Sequence, residues 1–252
     1  AALREAKRHG ARVLSIVNVV GSTIANESDD VLYTWAGPEI SVATTKAYST
    51  QLTLIYLLAY YIAEALGRVD ALELRHALNA LIALPDQIQR ALDQAPQIGQ
   101  FAQRLCYLHH AYFIGRNLDY AVALEASLKL KEISYIHSEA YAAGELKHGT
   151  ISLIEPGTFV AALACCERLF DKTVSNIREV KARGAQVLCV TQQGNEAAAQ
   201  QADHVFYVPK THPLFMPSVE VVPMQILGYY AAKARGCDID KPRNLAKSVT
   251  VE

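Results

Sequence analysis

Apolar positions along this chain follow two periods, and together they predict alternating strands and helices. Residues 109–116 (HHAYFIGR) and 158–166 (TFVAALACC) are nearly continuous apolar runs of strand length, the mark of central strands covered on both faces. Residues 172–184 (KTVSNIREVKARG) repeat apolar residues at helical spacing and stop at Gly184. The longest apolar run, 52–66, holds Thr53, Tyr56, Tyr60, Tyr61 and Glu64; it is too short for a membrane span and predicts a buried helix. Residues 67–102 carry two helical runs punctuated by Pro85 and Pro96, a segment suited to linking and bracing the parts on either side.

The pattern occurs twice. HGARVLSIVN (9–18) parallels RGAQVLCVTQ (183–192), SDDVLYTW (28–35) parallels ADHVFYVP (202–209), and a long helical segment follows each. Gly10 and Gly184 are 174 residues apart. Each copy reads helix, strand, loop, strand, helix, which predicts an α/β fold of two domains with parallel sheets flanked by helices. The second copy has residues 108–181 ahead of its RGA turn and the first has no counterpart. The first domain is therefore expected to be truncated at its N-terminal side, in a piece of a larger protein that starts at Ala1. The expected division is 1–100 for the first domain with linking helices, 101–236 for the second, and 237–252 for a C-terminal tail.

Residues 125–150 (EASLKLKEISYIHSEAYAAGELKHGT) concentrate the chemistry. To about His137 the spacing is helical, and Glu125, Lys129, Glu132 and Ile136 fall on one line. Leu124, Leu128 and Tyr135 flank that line on one side, and Ala126, Leu130, Ile133 and His137 flank it on the other. Ser127, Lys131 and Ser134 are left as the solvent face. Glu125 and Lys129 could form a plain surface pair. A Glu–Lys–Glu row inside an apolar band instead predicts a tuned acid–base site, because buried charge is costly unless paired. Gly144 is expected to end a second helical run and bend the chain, bringing Glu145, Lys147 and His148 into a polar loop.

Composition narrows the classes. Hydrophobic residues make up 51% and charged residues 19% of 252, a globular balance. A net charge of −1 offers no electrostatic case for nucleic acid or for an anionic membrane. Cys106, Cys165, Cys166, Cys189 and Cys237 form no CxxC and leave an odd count, which suits a reducing, cytoplasmic setting. His109 and His110 lack acidic or thiol company at ligand spacing, so no metal is expected. Gly115 in the GRN turn could admit a ligand to the backbone, or could simply be a turn. Val42, Ala43 and Thr44 supply donors at a helix start, as a ligand site or as a plain cap. Asp29–Asp30 and Glu167–Arg168 read as solvated loop charges. In the tail, Lys247 stands in an otherwise uncharged run and could deliver an amine to a closed site.

KLKEISYIHSEAYAAGELKHG, the ending DKPRNLAKSVTVE (240–252) and ATTKAYSTQ (43–51) together resemble the sugar-isomerase (SIS) half of the glutamine–fructose-6-phosphate aminotransferases, also called glucosamine-6-phosphate synthases. The likeness runs over essentially the whole chain. It implies fructose 6-phosphate and glucosamine 6-phosphate as ligands, ammonia from a separate glutaminase domain, and a homodimer with no nucleic-acid or membrane partner. It also implies Glu132 as the base moving a proton between C1 and C2, and His148 as the ring-opening group reaching a neighbouring subunit. Lys247 would form a Schiff base with Lys129 assisting, and Val42, Ala43, Thr44 and Glu125 would lie near the sugar. No metal or organic cofactor is implied. The chain departs from the family in lacking the glutaminase domain and the Ser/Thr-rich phosphate loop of the first isomerase domain, so it is expected to be inactive alone. Thr150 also replaces the family's common Pro, and Thr44 its common Ser. Two alternatives stand beside this: a non-catalytic sugar-phosphate sensor, which would not need the Glu/Lys/His set, and a deglycase or plain isomerase, which would lack the DKPRNLAKSVTVE ending.

Overall fold

The computed structural model describes residues 1–247. The chain divides into two compact units, Ala1–His76 and Ala77–Glu252. In the first, α1 (Ala2–Arg8), β1 (Leu14–Val17), α2 (Thr23–Glu27), β2 (Asp30–Tyr33) and α3 (Lys46–Ala65) follow one another. β1 and β2 pair in parallel, Leu14 opposite Asp30 and Val17 opposite Tyr33. Asp29 and Asp30 organise this small sheet. Asp29 accepts the Val13 N–H at 2.8 Å and pairs with Lys7, and Asp30 takes a two-pronged bond from Arg12.

Three helices come next: α4 (Ala71–Ile82), α5 (Leu84–Leu92) and α6 (Ala95–Ala102). Sequence spacing anticipates two runs here; Pro85 and Pro96 in fact open α5 and α6, where a missing N–H costs nothing. The second unit then runs β3 (His110–Gly115), α7 (Leu118–Ser134), β4 (His137–Ala142), β5 (Phe159–Ala164), α8 (Phe170–Lys181), β6 (Gln186–Gln192), α9 (Glu196–Ala199), β7 (His204–Val208) and α10 (Met216–Ala234). Its five strands are all parallel, in the order β4-β3-β5-β6-β7.

That order has a physical reading. From β3 the chain crosses over to β4 in one direction; from β5 it crosses to β6 and β7 in the other. Right-handed crossovers then place α7 on one face and α8 and α9 on the opposite face, with the switch between β3 and β5. Tyr112, Ile114, Val160, Ala162, Ile177, Val180 and Val187 form one buried layer. On the other face α7 packs on β3 and β4, and α10 lies along α7.

The internal repeat appears as matching element order. α1, β1, α2, β2 and α3 recur as α8, β6, α9, β7 and α10, and a shift of 174 residues carries β2 onto His204–Tyr207 within β7. Two expectations are corrected. The run 52–66 is helical as part of α3, but α3 has no buried residue, because two short strands offer too little sheet to cover a 20-residue helix. The residues after His137 form strand β4 rather than a second helical run. Tyr135, in the left-handed conformation at φ 60°, stops α7, and residues 137–142 then pair in register with β3.

Candidate active site

Helix α7 starts where Gly115 allows it to. A Cβ on Gly115 would lie 2.5 Å from the Asp119 carbonyl carbon, so the glycine of the GRN turn is needed for close helix–strand packing. Ser127 and Ser138 fix the helix to β4: their hydroxyls are 3.0 Å apart, and Ser138 donates to the Ser127 carbonyl at 2.8 Å. The faces of α7 differ from those read from spacing. Ser127 and Ser134 are buried, whereas Leu124 and Leu128 are 48% and 41% exposed. Ser134 can turn inward because its hydroxyl donates to the Leu130 carbonyl.

This rotation sets the charged row at the margin of the buried face. Lys129 is nearly sealed from water, with only 5% of its side chain exposed. Its Nζ lies 2.7 Å from Glu132 Oε2 and 3.5 Å from Glu125 Oε1. A lone ammonium in that place would be heavily penalised; two flanking carboxylates supply the compensation. Burial raises the Glu125 pKa above the ordinary carboxylate value; Lys129 opposes the shift and Glu132 adds to it. The row thus sets two carboxyl groups around one amine on a single helix. This arrangement can exchange a proton with a bound molecule at Glu132, whose side chain keeps 23% exposure.

The GELKH segment follows β4. Ala143 donates to the Gly115 carbonyl, Leu146 is wholly buried, and residues Leu146–His148 make a single 3-10 turn. Gly144 has a different job from the one its sequence position suggests. Arg116 lies against it, so an added Cβ would meet the guanidinium at 3.0–3.3 Å, while Arg116 itself bonds Asn176 of α8. His148 is exposed at the end of the turn, and Glu145 and Lys147 are exposed beside it. Among the described residues no hydrogen bond or ion pair joins His148 to the α7 row. Lys247 is exposed at the end of the described residues, and 248–252 of the expected tail lie outside them. The tail approaches α7 through Arg243, whose N–H donates to the Tyr135 hydroxyl at 2.7 Å and whose guanidinium sits 4.1 Å over that ring. Val42, Ala43 and Thr44 precede α3 in the first unit, with Ala43 buried and the others half-buried.

A model of the SIS domain matches residues 1–61 and 107–234. The chain belongs to the SIS domain family. Over all 252 residues it is 58% identical to a glutamine–fructose-6-phosphate aminotransferase [isomerizing] of Symbiobacterium thermophilum, and it is 47% identical over 250 residues to a Thermus thermophilus protein of that name. In both cases it spans 41% of the relative's length. This SIS chain superposes on the C-terminal domain of glucosamine-fructose-6-phosphate aminotransferase from Francisella tularensis with a TM-score of 0.91 and 34% identity, covering 95% of this chain and 68% of that one. A glucosamine-6-phosphate deaminase of Thermotoga maritima gives 0.75 and 25%, covering 98% and 70%. Among the described residues of this SIS chain no group of His, Cys, Asp and Glu could hold a metal, and no helix is long and apolar enough to cross a membrane.

Sequence reasoning missed two acids of the second unit. Asp119 and Glu220 are 2% and 0% exposed. Asp119 is one more polar residue in a first helical turn, and Glu220 sits in an apolar run with nothing in its neighbourhood to flag it. They become a pair only when α7 and α10 dock.

Proposed function

We propose that this chain is the sugar-isomerase portion of a glutamine–fructose-6-phosphate aminotransferase, converting fructose 6-phosphate and glutamine-derived ammonia to glucosamine 6-phosphate. The observation that carries this reading is the dehydrated Lys129 clamped between Glu125 and Glu132 on a chain 58% identical, end to end, to an enzyme of that name. In this reading His148, reaching across a homodimer, moves the proton that opens the sugar ring. The Lys247 amine condenses with the C2 ketone and releases water, and ammonia then displaces the lysine to leave nitrogen on C2. Glu132 takes a proton from C1 and returns it to C2, moving the carbonyl function to C1. Lys129 faces the negative charge that builds up between those transfers. Val42, Ala43 and Thr44 contact the sugar, and the glutaminase domain of the longer protein supplies the ammonia in the cytoplasm. None of these steps calls for a metal or an organic cofactor.

The test is Glu132→Gln in the full-length protein. Formation of glucosamine 6-phosphate should fall by about 10²–10⁴-fold, the usual worth of a general base. Calorimetric binding of fructose 6-phosphate should change little. Near-normal turnover would remove Glu132 from the role.

A further inference from the structure

Parallel sheets of this kind receive ligands outside the carboxyl ends of the strands at the switch point, here between β3 and β5. A cavity of about 350 Å³ lies at that place in the second unit, with Asn117, Glu167, Arg168, Gln192 and Thr211 in its lining. On its floor the consecutive N–H groups of Cys165 and Cys166, just past β5, converge on one oxygen. That oxygen is Oδ2 of Asp119, 3.0 Å from each nitrogen. Two successive main-chain donors aimed at one point, ahead of the turn that leads into α8, are the usual cradle of a bound phosphate or carboxylate.

Beneath Asp119, Glu220 of α10 faces both that carboxyl and the Cys165 thiol, in full burial. Cys165, Cys166 and Cys189 lie around the two carboxyls, and among the described residues no ion pair joins either acid to a cation. Burial lifts Asp119 to about 7 while the two N–H donors pull it down, and burial next to Asp119 raises Glu220 well above the carboxylate range. Two acids in that position do not ionise together, and the two N–H donors, which reach Asp119 and not Glu220, favour the negative charge on Asp119.

We propose that Asp119 is a built-in anion: it fills the anion cradle of the second sheet and closes this crevice to phosphorylated ligands. It is thus a specificity-determining residue, and the repeated architecture does not give a repeated phosphate site. The rim adds no net attraction, since Glu167 offsets Arg168. The inference does not depend on the proposed reaction, because it concerns the cradle and not the α7 row.

The test compares the full-length wild type with the double variant Asp119→Ala/Glu220→Gln; the second change keeps Glu220 from ionising once Asp119 no longer holds the charge. The probes are inorganic phosphate in calorimetric titration and tungstate, its heavy analogue, located by anomalous scattering in soaked crystals. In the wild type no tungstate should lie within hydrogen-bonding distance of the Cys165 and Cys166 nitrogens. In the variant a tungstate should appear there, and the titration should show a phosphate site bound at least tenfold more tightly than anything added by that crevice in the wild type. A tungstate on those nitrogens in the wild type overturns the proposal whatever the variant does. A folded variant with an empty cradle overturns it too. Should the double variant not fold, Asp119→Ser, which shortens and neutralises the side chain, takes its place under the same two criteria.

Discussion

At Asn117 the backbone is held at φ 56° and ψ −124°, a region that side chains with a Cβ rarely enter. Its side chain does not cap α7, so no capping bond offsets the strain. Asn117→Gly should therefore stabilise the protein by about 1 kcal/mol, strain relief outweighing the entropy glycine adds to the unfolded chain. A rise in thermal midpoint checks this, and an unchanged or lower midpoint would show that the side chain contributes more than its bonds reveal. Single residues also mark where sequence reading stops. The Glu125–Lys129–Glu132 row was visible from spacing alone, but not which flank of it would be covered. Leu124 and Leu128 are apolar yet exposed, and Ser127 and Ser134 are polar yet buried, because small hydroxyls satisfied within the helix or by Ser138 let α7 approach β4 closely. Hydrophobicity alone carries no sign of such partners.

Among the elements, α7 does most to join fold and chemistry. Its N-terminus is set by Gly115, its side by Ser138 and its end by Tyr135, while α10 covers its length. Lys129→Met should cost about 3–5 kcal/mol, since it leaves two covered carboxylates without their cation. The triple change Lys129→Met, Glu125→Gln, Glu132→Gln should recover most of that loss while abolishing turnover. Denaturant titration of the three proteins decides it, and a single variant as stable as wild type would mean the row is wetter than its geometry implies. Strands β3 and β5 were legible because parallel central strands are apolar throughout. Strand β4 was not: HSEAYA lies at the sheet edge, half exposed, and its alternation is short enough to pass for a helical run.

For the whole molecule the repeat was the clearest sequence signal, since a shift of 174 residues preserves element order without any side-chain detail. The Asp119–Glu220 pair was not legible, because its members lie on helices from opposite ends of the second unit. It does predict a pH dependence. Both acids have folded-state pKa values raised above their unfolded values, so their contribution is fully present below the unfolded pKa. For Asp119 it is lost as pH rises from about 4 through about 7, and for Glu220 the loss continues to higher pH, since the unfolded chain gives up protons that the folded one retains. Glu220→Gln should flatten that slope, so the thermal midpoint of the variant should gain on the wild type between pH 5 and pH 8. A constant difference would place the pair's titration elsewhere. The exposed pairs Arg4–Glu27 and Arg12–Asp30 act in the opposite sense, holding their acids low and weakening as pH falls. At the same scale, His148→Ala and Glu132→Gln proteins mixed and allowed to exchange subunits should regain activity; none in verified heterodimers would place the whole site in one chain.

The packing of α10 along α7 also sets a timetable. Residues 110–134 leave the ribosome well before residues 216–234, and at roughly 5–20 residues per second the interval amounts to several seconds. Throughout it α7 has no cover on the face that carries Lys129, and the Asp119 carboxyl has no proton-bearing neighbour. The second unit can thus reach its native state only after α10 has emerged, and the nascent chain must keep a half-apolar helix in solution until then. Chaperone dependence during synthesis, rather than low final stability, is where defects in this helix pair should first be felt.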